Sequence, residues 1–427
     1  MKGISRKKML RVSKSKFAHD FYLTVSSNLG ITLVRALGGI AAARLLGPAG
    51  RGELAAAIAW TGILGLIAQL GLPQAITYFT AKYSEDTDDI VYSWLVLALI
   101  QSTVAIVIGC GLAYSLLSKS KPQTLNAVFL YLWVIPPMLL TTYLNTTAQG
   151  KKEFVYFGVT RFLAGSILLI SSLTGFLFRW QSSIEILRLM VFLQYLLVTI
   201  ALSWAFSSFI NFRFTGRPKW IPPLLKYGSR SYVAGLSWIA NARIDQFIMS
   251  FSISASQLGL YAVAVSYSGV LFPILGALAN VLFPHIAGVR HQIAIRKIWS
   301  TLIVTLLFGI VGVVILAILA PWGIPWLFGE PFYASVPPAR LLLIGSIFLG
   351  GNYVLGDGLR GLDKPGLPSI GEAIGLVVTI SGLLILLPSM GIMGAAWTSL
   401  ASYSTVFIIL TLLMVLISSS IKKNSSI

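Results

Sequence analysis

Residues 52–62 read GELAAAIAWTG, and residues 259–269 read GLYAVAVSYSG. Set one above the other, both terminal glycines coincide, Ala55 falls on Ala262, Ala57 on Ala264, Trp60 on Tyr267 and Thr61 on Ser268. Each copy opens an apolar stretch of the roughly 20 residues needed to cross a bilayer's hydrocarbon core. The chain around them is 56% hydrophobic and only 11% charged, with a mean hydropathy of +0.84. Soluble domains carry about a quarter charged residues. The two copies therefore belong to an integral membrane protein.

Working outward from the repeat, hydropathy places twelve spans near 19–45, 54–81, 90–117, 124–148, 155–178, 188–210, 229–252, 257–286, 298–320, 337–358, 367–388 and 393–418. The copies begin the second and eighth of these, the offset of a six-plus-six duplication. An even number of spans per repeat keeps both halves in one orientation, related by an axis along the membrane normal. The predicted fold is an all-α membrane protein of about twelve helices in two six-helix lobes with pseudo-twofold symmetry. The lobes are residues 1–210 and 211–427, joined by a basic, proline-bearing linker over 211–230.

A formal net charge of +19 would suggest nucleic acid in a soluble chain. Its distribution excludes that reading. The first sixteen residues hold seven Lys/Arg, alternate connections on the same side hold fifteen more, and those on the other side hold four (Arg51, Lys119, Lys121 and Arg179). By the positive-inside rule both termini are expected in the cytoplasm, in a cytoplasmic membrane. The first span is too long for a signal peptide and is interrupted by Arg35. Cys110 is the only cysteine, and the three histidines lack ligand spacing, so neither a disulfide framework nor a metal site is expected. With no phosphate-binding glycine loop, no cofactor is expected either.

The seventh span contains NARIDQFIMS, residues 241–250, which puts Arg243 and Asp245 near mid-membrane. A guanidinium there costs about 2.5–3.5 kcal/mol or more, so it faces protein or water. Arg35 stands seventeen residues before Gly52, and Arg243 sixteen before Gly259. A pseudo-twofold axis would bring them to opposite walls of one cavity. For each arginine a structural role, tied to carbonyls or to Asp245 and Asp357, stays open beside a cargo-binding one. For the pair at matched positions the cargo-binding role is favoured. Arg161 and Arg340 lie near the ends of other spans, and Arg44 and Arg51 read as interfacial anchors. Asp245, Asp357 and Glu372 are candidates for charge pairing or ion coupling. A cavity with surplus positive charge suits an anionic cargo. Pro73, Pro136 and Pro273 interrupt the second, fourth and eighth spans, where proline bends a helix.

RLLGPAGRGELAAAIAW (44–60), GLPQAITYFTA (71–81) and RIDQFIMSFSISASQLGLYAVAVSYS (243–268) resemble the bacterial O-antigen (Wzx-type) polysaccharide flippases. These form the polysaccharide transporter branch of the multidrug/oligosaccharidyl-lipid/polysaccharide superfamily. The resemblance covers nearly the whole chain in span number and loop brevity. It implies translocation of an anionic lipid-linked oligosaccharide, on an undecaprenyl pyrophosphate type carrier, for cell-surface polysaccharide assembly. It also implies a cationic lumen, whose role here would fall to Arg35 and Arg243 and then to Arg161 and Arg340. Other polysaccharide-assembly membrane proteins are expected as neighbours, and no bond is broken, so no enzyme activity is expected. Two alternatives stand: a cation-coupled multidrug exporter of the same superfamily, which would need membrane-embedded acids, and a membrane polysaccharide polymerase or ligase. The latter needs a large outside loop with histidine, which this chain lacks.

Overall fold

The backbone is almost wholly helical, as hydrocarbon demands: a chain inside a bilayer must satisfy its N–H and C=O groups internally. The computed structural model describes residues 3–210, 218–241, 244–273, 275, 276, 291–364 and 366–424, with backbone alone at 3–29, 231, 233–241 and 420–424. Thirteen α-helices are described: α1 (Gly3–Gln69), α2 (Leu72–Lys82), α3 (Thr87–Leu117), α4 (Pro122–Leu132), α5 (Ile135–Lys151), α6 (Phe154–Leu177), α7 (Ser183–Ser208), α8 (Ile221–Asn241), α9 (Ile244–Ser252), α10 (Ala255–Ser268), α11 (His291–Phe328), α12 (Val336–Gly361) and α13 (Gly366–Asn424).

Two of them are broken in the middle. A straight α1 would run ~100 Å, more than three hydrocarbon cores. It turns at Gly47, whose φ of 63° suits glycine and whose successor Pro48 cannot donate a helical hydrogen bond. α13 turns in the same way at Gly391, with φ 56°. Judged by length and hydropathy, seven helices cross a membrane alone, and eight with the α4–α5 pair, which bends by 41°. Ten of the twelve expected spans are matched when α1 and α13 each count as two; those near 229–252 and 257–286 lie partly outside the described residues. The outer faces carry Leu99, Val107, Phe308 and Ile385 largely exposed, an apolar belt suited to lipid.

One large apolar cluster runs through both halves, including Trp60, Trp94, Tyr143, Tyr261 and Phe332. Smaller clusters sit within the first half, around Ala42, Ile186 and Leu197, and within the second, around Ile298, Leu355 and Leu410. The halves meet at the repeat itself. A Cβ on Gly52 would overlap the carbonyl oxygen of Ala255, and a Cβ on Gly259 would overlap that of Pro48. Pro48 and Ala255 each lie four residues before their glycine, so exchanging the two copies maps this contact onto itself. The pseudo-twofold axis passes between Gly52 and Gly259, where small residues let backbones touch. The sequence alignment and the spatial symmetry thus share one offset, 207 positions (259 minus 52).

Candidate functional site

Between the halves lies a cavity of about 1040 Å³. Its walls repeat the duplication. Ala55 and Ala262, Asn145 and Asn352, and Gly165 and Glu372 all line it, each pair 207 positions apart.

The charged lining residues are Arg35, Arg51, Arg161 and Glu372, three cations against one anion among the described residues. All three arginines come from α1 and α6, in the first half. α1 and α6 run side by side in the same direction, Ile31 meeting Gly165 and Leu45 meeting Gly175. A Cβ on Gly165 would stand 3.6 Å from Arg35 Nε, so the Arg35 side chain passes over that glycine. Arg161 is one turn earlier on the same face of α6, its guanidinium 4.8 Å from the centre of the Phe157 ring. Cations gathered on one wall of a cavity suit a dianionic ligand. Arg51 stands further toward the Gly47 turn, only 8% exposed.

The residues singled out in the sequence scatter in an instructive way. Arg35 and Arg161 come together on one wall. Arg243 lies outside the described residues, so the opposed pair of Arg35 and Arg243 has only one described member. Arg340 is a correction: it does not line the cavity, and its Nε donates to the carbonyl of Ala317 at 3.0 Å. Ala317 lies four residues before Pro321, whose missing N–H leaves that carbonyl without its helical partner; Arg340 supplies the donor. Asp357 pairs with Arg360 at 2.7 Å near the end of α12, away from the cavity. Asp245 is buried, accepting from the Tyr261 hydroxyl at 2.8 Å and from the Gln246 backbone at 2.7 Å. Glu372 faces the cavity, and Tyr403 stands within electrostatic reach of both carboxylates. Among the described residues no group of acids, cysteines and histidines could hold a metal. Pro73 and Pro136 stand in the first turns of α2 and α5, after breaks at Leu70–Gly71 and Trp133–Val134, and Pro273 follows the 3₁₀ turn that ends α10.

Arg51 and Arg44 are the other corrections. Arg51 is buried against the cavity rather than at an interface, and Arg44, itself exposed, reaches across to the second half. Arg44 Nε donates to the carbonyl of Leu327 at 2.8 Å, and Nη2 to that of Trp326. Lys121 Nζ donates to the carbonyl of Ser250 at 2.8 Å and to that of Ile253. Each cation thus caps the last turn of a helix in the opposite half, where carbonyls are unpaired and the dipole is negative. The two clamps are symmetry mates: position 251 corresponds to Arg44, and position 328 to Lys121. The sequence signal for all of this was Gly47–Pro48, which turns the chain back and brings Arg44 and Arg51 against the second half.

Lys121 makes the clamp sensitive to pH. Burial pulls its ammonium from the ordinary 10.5 down to about 8. The clamped state therefore binds the proton more weakly than a solvated lysine does, and clamping releases it between about pH 8 and 10.5. Raising the pH from 7 to 9 should shift the population toward the clamped form. Spin-label distances across the Gly47 end would report this, and Lys121→Arg, charged throughout, should remove the dependence.

The arrangement, two helical halves around a cationic chamber, is a multi-pass helical membrane fold of the kind seen in the multidrug/oligosaccharidyl-lipid/polysaccharide superfamily. A multidrug resistance MATE transporter of that superfamily, in an inward-facing conformation, superposes with a TM-score of 0.75 at 15% identity over 92% of this chain and 96% of its own. The lipid II flippase MurJ, in an inward closed conformation, gives 0.75 at 13% identity over 91% and 86%. A superfamily transporter from Pyrococcus furiosus, described by a binding pocket of reverse polarity, gives 0.53 at 12% identity over 93% and 96%. No curated protein matches the chain. Residues 17–290 match the polysaccharide biosynthesis protein family, and the chain belongs to it.

Proposed function

We propose that this protein is a flippase that carries a lipid-linked oligosaccharide, on an undecaprenyl pyrophosphate type carrier, across a bacterial cytoplasmic membrane with both its termini in the cytoplasm. The observation that carries the reading is the wall of three arginines facing a chamber between two symmetric halves, in a chain of the polysaccharide biosynthesis family. The diphosphate sits against Arg35 and Arg161, with Arg243 as a further candidate, and the halves 1–210 and 211–427 rock about the chamber. Asp245 and Glu372 are the acids an ion gradient would act on. The work needs charge neutralisation and alternate exposure, and no bond is broken.

A second reading, an exporter of cationic compounds, draws on Glu372, the one acid lining the chamber among the described residues. Reconstitution separates the two. Vesicles holding the protein and a fluorescent lipid-linked oligosaccharide should expose the label to an external quencher faster than protein-free vesicles do. Equal rates, together with uptake of a cationic dye that Glu372→Gln abolishes, would replace the flippase with the exporter.

A further inference from the structure

α5 is strangely polar for a helix at membrane depth. Residues 141–149 read TTYLNTTAQ, and its cavity face is Thr142, Asn145 and Thr146, with Gln149 continuing the same face at the spacing of adjacent helical turns. Thr146 also lines a second, shallower cavity of about 390 Å³, together with Gln149, Gln74 and Thr77. The polar track therefore leads out of the central chamber between α2 and α5. Every group on it is neutral.

The duplication provides an internal control. What both copies share serves the common fold; what one copy alone carries is free to serve the cargo. At the 207-position offset, Thr142 corresponds to Leu349, Asn145 to Asn352, Thr146 to Tyr353 and Gln149 to Gly356. Leu349, Asn352 and Tyr353 line the same chamber from the second half. Only the asparagine is common, and it is structural in both copies. Asn145 accepts from Thr160 at 2.5 Å, and Asn352 donates to the carbonyl of Tyr403 at 3.1 Å. The remaining positions differ in kind: two threonines and a glutamine in the first half; a leucine, a tyrosine and a glycine in the second. The second half runs a helix, α12, through the same positions without those threonine hydroxyls.

We infer that the α5 face of Thr142, Thr146 and Gln149 is a glycan-reading subsite that accepts uncharged sugar units, with Tyr353 as the aromatic surface opposite; this rests on the flippase reading above. The chemistry fits sugars better than lipid or drug. Sugar rings present many hydroxyls that donate and accept, plus an apolar C–H face that lies against an aromatic ring. Thr142 and Thr146 give their own protons to the carbonyls of Met138 and Tyr143, at 2.8 and 2.9 Å, which leaves their lone pairs to accept from a ligand. The Tyr353 ring is held edge-on against Phe272, with centroids 5.1 Å apart. The arginine wall adjoins the track, since Asn145 bonds to Thr160, the neighbour of Arg161. The anionic carrier and its neutral glycan thus have separate surfaces within one chamber.

The test compares two fluorescent polyprenyl diphosphates in proteoliposomes, one bare and one bearing a neutral oligosaccharide. Thr142→Val with Thr146→Val keeps side-chain volume and removes only the hydroxyls. The ratio of glycan-bearing to bare translocation should fall at least about tenfold, as expected when a site loses two hydrogen-bond partners. Tyr353→Ala should lower the same ratio, whereas Arg161→Ala should slow both lipids. If the double variant slows both lipids equally, or neither, the hydroxyls do not read the glycan, and the flippase reading stands without this one. If the wild-type protein moves neither lipid, both readings fall together.

Discussion

Gly52→Val is expected to abolish transport while leaving the protein inserted and folded, and Gly259→Val to do the same. The two glycines touch backbone, not side chain: the carbonyls of Ala255 and Pro48 occupy the space a Cβ would need. Neither carbonyl can rotate away without unwinding the first turn of its helix, so even one methyl group must part the halves. Parting them also pulls Arg44 from the carbonyls of Trp326 and Leu327, and Lys121 from those of Ser250 and Ile253. The cycle would then be held with the Gly47 end open. Distances between labels near Ser118 and Gly329 should lengthen into a single broad population that added substrate does not change. The matched glycines should act alike, because each is the other's symmetry mate. Wild-type transport by Gly52→Val would mean that this contact is never closed during turnover.

The second large effect belongs to the arginine wall. Arg35→Ala and Arg161→Ala should each reduce translocation of a diphosphate-linked lipid at least about tenfold, from the roughly 1.5–3 kcal/mol of a hydrogen bond to a charged group. Lysine should restore part of the Arg161 loss and less of the Arg35 loss. A point charge replaces charge but not the planar fork, and Arg35 works across the narrow gap over Gly165. Arg51→Ala should weaken transport with little effect on initial binding, since Arg51 lies deeper, beside the closed contact between the halves. Binding and transport are separated by measuring carrier-lipid affinity in detergent alongside flipping in vesicles. Unchanged flipping by all three variants would remove the cationic chamber from the mechanism.

How much of this could be read from residues alone follows the range of the forces involved. Membrane character, most of the spans and the repeat were legible because hydrophobic burial is recorded locally, in runs of about twenty residues. Even the contact was legible: Gly52 and Gly259, matched as letters, prove to be where the two copies of the repeat meet backbone to backbone. The charged residues were harder. Arg35 and Arg161 stand on different helices, and only the parallel packing of α1 on α6 places them one helical turn apart. Arg340 looked like their companion by depth, yet it answers the carbonyl that Pro321 leaves unpaired. That pairing runs between two helices and leaves no mark in either one's periodicity.

Arg44 and Arg51 show the boundary best. The sequence by itself determined that a connection falls between residues 45 and 54, that the chain carries an internal repeat, and that cations are too costly to face lipid. Only the tertiary structure decided which cations face the chamber and which clamp the opposite half. A guanidinium's partner is chosen by geometry across helices far apart in the chain, while its cost in hydrocarbon is set by the residue alone.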